Sequence, residues 1–197
     1  IYNHAKTYRR DIMTFTSRVL GPVLFILVLL ASNTQSHAQD YVTDQQQQQF
    51  LKACLAKGDA RMSVETHRIF CECTAYQIKQ NLSIEDVQNM NSRDPKIARA
   101  VANKVILDVY APCMEFPVRD LIFTSCKQKN LSNNVCSCLS SQMGEYTAET
   151  AQKHLFDVLQ RQPNIVDPMG PIVESPAFQK KEQEVAQQCA LQGLQGR

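Results

Sequence analysis

Eight cysteines fall into two quartets of one form, and this pattern constrains the fold more than anything else in the chain. The first quartet is Cys54, Cys71-x-Cys73, Cys113; the second is Cys126, Cys136-x-Cys138, Cys189. Successive residues of an α-helix turn by about 100°, so positions i and i+2 point about 200° apart. If each CxC segment is helical, its two sulfurs face opposite neighbours. One then bridges to the helix before and the other to the helix after, so the middle helix is a spine stapled on both sides. A bridge between Cys71 and Cys73 themselves would be strained in a helix. Which member of each pair takes which partner stays open in the sequence.

Other residues keep the same frame. Phe50-Leu-Lys-Ala-Cys54 lies over Ile122-Phe-Thr-Ser-Cys126. Four residues beyond each first cysteine stand Gly58 and Asn130, the residue types that most readily take the left-handed conformation ending a helix. Leu82-Ser83 and Tyr146-Thr147 each offer a cap for a new helix. Asp94-Pro95 and Ser175-Pro176 each pair an N-cap with a helix-starting proline. The chain therefore reads as two related units, 39–118 and 119–197, built from one helical module.

The periodicity is helical throughout. Ile97, Val101, Val105 and Val109 make a stripe at i+4 spacing, and Ala148, Ala151, Leu155 and Val158 make another. Asp44 with Gln47 predicts a capping box for the first helix. Alternating apolar runs are few, so the expected class is all-α, two stapled units packed as a small helical bundle. The exception is 164–176, a Pro-rich stretch that the first unit lacks and that reads as an irregular inserted loop. Its residues Asn164, Ile165, Val166, Asp167, Pro168, Met169, Gly170, Pro171, Ile172 and Val173 form a candidate interaction surface on a rigid scaffold.

Residues 19–31 are an uncharged apolar run with Arg18 before it and Ser36-His37-Ala38 after it. That order predicts an N-terminal leader over 1–38 that contains a signal peptide, with Met13 as its start, 19–31 as its apolar core and cleavage after Ala38. The run is short of the roughly 20 residues a spanning helix needs. Contact with a membrane is thus expected only through this segment, and only if it is uncleaved. Lys6, Arg9, Arg10, Arg18 and Asp11 all belong to the leader. Of the chain's 21 basic and 19 acidic residues, 17 and 18 therefore remain after it, a net of −1. No concentrated positive face is left for nucleic acid. All eight cysteines lie in the exported part, which points to a periplasmic or secreted, disulfide-bonded protein.

Chemistry-bearing residues are sparse. His67 lies four residues before Cys71, so His67, Cys71 and Cys73 form a candidate zinc or copper(I) site. The second quartet has no histidine near its CxC pair; its one histidine, His154, is far along the chain. Thiol–disulfide exchange at a CxC pair is the other catalytic candidate. No hydrolase or zinc-protease motif is present. Two glycosylation sequons, Asn81-Leu82-Ser83 and Asn130-Leu131-Ser132, fall at predicted helix junctions. The expected function is a non-catalytic binding module without cofactor, taking a protein, an envelope component or a small ligand. The alternatives are a periplasmic thiol–disulfide or metal-handling protein, and an effector presenting 164–176.

Overall fold

The computed structural model describes residues 41–195. The leader, its apolar run and its expected cleavage site lie outside the described residues. Eight α-helices follow in order: α1 (Asp44–Lys57), α2 (Val64–Asn81), α3 (Ile84–Asn89), α4 (Pro95–Lys104), α5 (Glu115–Gln128), α6 (Asn133–Arg161), α7 (Met169–Val173) and α8 (Pro176–Gln195). A π-helical segment, Val105–Tyr110, and a 3-10 turn, Ala111–Cys113, join α4 to α5. The described chain is an all-α, disulfide-stapled bundle. None of its helices is long and apolar enough to cross a membrane.

Four bridges staple it: Cys54–Cys71, Cys73–Cys113, Cys126–Cys136 and Cys138–Cys189, with Cα–Cα distances of 5.7, 5.9, 5.5 and 5.8 Å. Each stays within one quartet. On α2, Cys71 reaches back to α1 while Cys73 reaches forward to Cys113; on α6, Cys136 reaches back to α5 while Cys138 reaches forward to α8. The 200° between i and i+2 accounts for this division. None of the eight cysteines is free.

Helix ends follow local chemistry. Gly58 (φ 59°) and Asn130 (φ 58°) are the only described residues with positive φ, and each closes a stapled helix. Asp94 accepts from the Lys96 N–H ahead of Pro95, and the Ser175 hydroxyl accepts from the Phe178 N–H ahead of α8. The first capping box forms one residue earlier than expected. The Thr43 hydroxyl accepts from the Gln46 N–H, and Gln46 Oε1 accepts from the Thr43 N–H.

The two quartets part company after their CxC pairs. In the first, the chain breaks at Leu82 and restarts with Ser83 capping α3. In the second, no break occurs at Tyr146-Thr147, and α6 runs unbroken for 29 residues. Thr147 is fully buried, and its hydroxyl donates back to the Met143 carbonyl instead of capping a new helix. The boundary drawn at 118/119 falls inside α5.

The i+4 stripe that starts α4 is also interrupted. Pro112 has no N–H, so it cannot pair with the carbonyl four residues back, and its ring crowds that group. The orphan is the Asp108 carbonyl, which accepts from Asn81 Nδ2 at 2.9 Å instead. Ahead of the proline the helix widens into the π segment, which still buries Ile106 and Val109. Asn81, half of a sequon in the sequence, is thereby a structural partner. A large core forms around α5, α6 and α8, including Val118, Met143, Leu155, Phe178 and Val185. A smaller one joins Val42, Ile78, Leu82 and Val109. Tyr110 touches both, stacked on Phe70 with ring centroids 6.0 Å apart and planes 18° from parallel.

Candidate functional site

The smaller core is the floor of an open apolar groove. Helix α1 carries 14 residues and buries none of them, because its inner face lines this space rather than packing shut. That face contributes Phe50, Ala53, Gln46 and Gln49. Val42, Ile78 and Leu82 form the floor, and Val42 is pinned there by its N–H donating to the Leu82 carbonyl at 3.2 Å. Val87 and Met90 at the end of α3, with Ala98, Ala102 and Val105 along α4 and the π segment, make the opposite wall. Tyr110 closes one end. The volume of the groove is about 700 Å³, within the range of about 300–1,000 Å³ usual for small-molecule sites. Only Gln46, Gln49 and the Tyr110 hydroxyl offer polar side-chain atoms, and no charged side chain lines the groove.

The opposite wall is fixed electrostatically. Lys104 on α4 donates to Asp86 Oδ2 of α3 at 2.6 Å, and the same carboxylate accepts from the Ser83 N–H at 2.9 Å. Partial burial alone would raise the Asp86 pKa. The Lys104 ammonium and the Ser83 donors outweigh it and hold the carboxyl below its ordinary range. Because the folded pKa is depressed, this stabilisation is complete above the unfolded value and is lost as pH falls through the folded one. Asp86→Ala is expected to cost about 1 kcal/mol at neutral pH. In urea titrations the gap to the parent protein should close below about pH 4; a gap of the same size at about pH 2 would mean the carboxylate is not its source. Burial raises the Tyr110 phenol above its ordinary pKa, so it lines the groove as a neutral hydroxyl.

The candidate loop divides in two. Ile165 and Val166 reach the rim of the groove, and Val166 is 89% exposed there although apolar. Asn164 is exposed. Asp167 pairs with Arg61, which also holds Asp59 at 2.7 Å, so this ion pair ties the loop to the α1–α2 turn. The Arg61 hydrogen bonds hold the Asp59 carboxyl below the usual carboxylate range. The second half is not the irregular display expected from its prolines. Pro168 is buried, and Met169–Val173 coil into the short helix α7. Met169 and Ile172 enter the large core, with Val173 packed against it. Gly170 and Pro171 are half-buried, and the Pro171 carbonyl accepts from His154 Nε2 at 2.8 Å, which accounts for that histidine. Val166 and Tyr110 also border a second cavity of about 310 Å³, between Phe70, Met114 and Pro117.

The candidate metal ligands are not brought together as a set. Cys73 is bridged to Cys113, away from His67, whereas Cys71 is bridged to Cys54. His67 Nε2 does stand 3.5 Å from Cys71 Sγ, and the ligand atoms of Cys54, His67 and Cys71 lie within 4.8 Å of one another.

Sequence reasoning missed the groove. Its signal was the pair Ala98 and Ala102, small residues at i and i+4 beside the bulkier stripe, which leave a trough where Val or Leu would fill it. Comparison with models of known protein families, with curated proteins and with solved structures finds no match for this chain.

Proposed function

We propose that the protein is an exported, non-catalytic module, periplasmic or secreted, whose groove binds an uncharged, lipid-like small molecule. One observation carries this reading: a 700 Å³ groove with an apolar floor and walls and no charged lining residue. A carboxylate or phosphate headgroup would find no cation there, whereas a neutral amide or hydroxyl could meet Gln46, Gln49 or Tyr110. Disulfides on both sides of α2 hold the groove walls in place without a bound ligand, which reduces the ordering cost of binding. Four disulfides fit an oxidising, extracytoplasmic compartment, as the leader also suggests.

The test is a fluorescence titration with neutral N-phenylnaphthylamine against its anionic sulfonate analogue. The neutral probe should bind with a Kd on the order of 10 µM, and the anion at least about tenfold more weakly. Ala98→Trp and Ala102→Trp put an indole into the trough from a helix face that nothing else covers. Each should weaken the neutral probe at least about tenfold while helicity is unchanged. Equal binding of both probes, or binding indifferent to both tryptophans, would remove the groove from consideration.

A further inference from the structure

We infer that Cys54, Cys71 and His67 form a latent zinc site, closed while the Cys54–Cys71 bridge is intact and opened when a dithiol reduces it. The inference does not depend on the groove. Zinc bonds sulfur at about 2.3 Å and imidazole nitrogen at about 2.0–2.1 Å, so a tetrahedral site has a sulfur-to-nitrogen edge of about 3.6 Å. The His67 Nε2 to Cys71 Sγ separation is 3.5 Å, so that edge is already in place on consecutive turns of α2. All three ligand atoms lie within 4.8 Å of one another, and only the Cys54 sulfur has to move to complete the set.

The surroundings allow that movement. Cys71 is fully buried on the spine, whereas Cys54 is half-buried on α1, the one long helix with no buried residue. Opening this bridge releases the end of α1 and leaves the large core intact. No other bridge has this equipment: four residues before Cys136 stands Ser132, whose hydroxyl caps α6 by accepting from the Val135 N–H. Two thiolates and an imidazole are a soft donor set suited to zinc, with a fourth position left for water.

The chemistry balances with a dithiol as reductant. One thiolate of the dithiol attacks the sulfur of Cys54, the less buried of the two cysteines, and Cys71 leaves as thiolate. The second thiol then attacks the mixed disulfide and releases Cys54. The dithiol is oxidised to its cyclic disulfide, and its two electrons and two protons convert the cystine to two thiols. Zinc binding then sends both thiol protons to solvent.

The test uses protein exported from the full sequence and treated with graded dithiothreitol. Alkylation mapping identifies the bridges opened, and circular dichroism follows helicity. The dithiothreitol, itself a thiolate ligand for both metals, is then removed without air, and cobalt(II) serves as the spectroscopic probe with zinc as its competitor. Cys54 and Cys71 should become alkylable while helicity persists. Cobalt should give tetrahedral ligand-field bands with a thiolate charge-transfer band, and one equivalent of zinc should abolish both. Outer-shell partners alone are worth about 10–100-fold in metal affinity, so losing a direct ligand in His67→Gln should weaken zinc at least about 100-fold. The double variant Cys54→Ser/Cys71→Ser, which keeps the other three bridges, should give no cobalt bands under the same treatment. Three results would overturn the site: an opened bridge without tetrahedral cobalt bands, bands unchanged in His67→Gln, or a bridge that opens only as helicity collapses.

Discussion

Replacing Cys138 and Cys189 together by alanine should destabilise the protein by about 4 kcal/mol, more than removing any other bridge. This bridge closes the longest loop, with a sequence separation of 51, against 40, 17 and 10 for the others. Restricting the unfolded chain contributes stability that grows with the logarithm of loop length. The series then falls to about 3.9 kcal/mol for Cys73–Cys113, 3.1 for Cys54–Cys71 and 2.7 for Cys126–Cys136. Urea midpoints of the four double-alanine variants, each with three bridges left, measure the order directly. The reverse order would mean that the staples act on the native state, with the short Cys126–Cys136 bridge relieving a strained junction, rather than on the unfolded chain.

Phe178→Ala should cost a comparable amount, about 3–5 kcal/mol. Phe178 is 2% exposed and enters the large core from the first turn of α8. Its ring meets that of Tyr146 at 6.3 Å with planes 54° apart. Truncation removes the ring from the site where α8 docks on α6 and leaves a cavity that two stapled helices cannot close by collapsing. For a chain of this size the melting temperature should fall by about 10 °C or more. Because Cys138–Cys189 still tethers α8, the loss should appear in the transition midpoint without release of the helix. A change below about 1 kcal/mol would mean that α8 is held by its bridge and not by its packing.

What could be read in the residues divides along a physical line. Cysteine spacing and caps are local, and they report what neighbouring backbone must do. Gly58 and Asn130 end their helices, Asp94 and Ser175 start theirs, and CxC sends its sulfurs to opposite sides. Thr147 and Ser83 show where that reasoning stops. Both carry a hydroxyl shortly after the CxC pair, ten residues past Cys73 and nine past Cys138, but Thr147 is buried against α6's own backbone and Ser83 meets a chain break. Whether a hydroxyl caps or folds back depends on what packs over it, which is not written nearby. Thr43 and not Asp44 takes the cap of α1, its hydroxyl and N–H both meeting Gln46, while the Asp44 carboxylate pairs with Lys79 on α2. The prolines of 164–176 suggested an irregular segment, but Met169 and Ile172 find the core and draw the backbone into a turn of helix. The groove was hidden because it belongs to four separate stretches of chain, and its clearest mark is what Ala98 and Ala102 lack.

The order of the bridges has a consequence for how the molecule withstands cutting. Two pairs close before residue 114 and two after 125, with none spanning the gap. In covalent terms the stretch from Cys54 to Cys189 is four closed rings in a row, joined by three links: Glu72, residues 114–125 and Ser137. A peptidase nick inside a ring, between 54 and 71 or between 138 and 189 for instance, leaves both pieces attached. Only a cut on a link parts them, and the longest link is the opening of α5, where Met114, Pro117, Val118 and Ile122 are buried. The other two links are single residues inside α2 and α6, so a peptidase has to unwind a helix to sever any of the three.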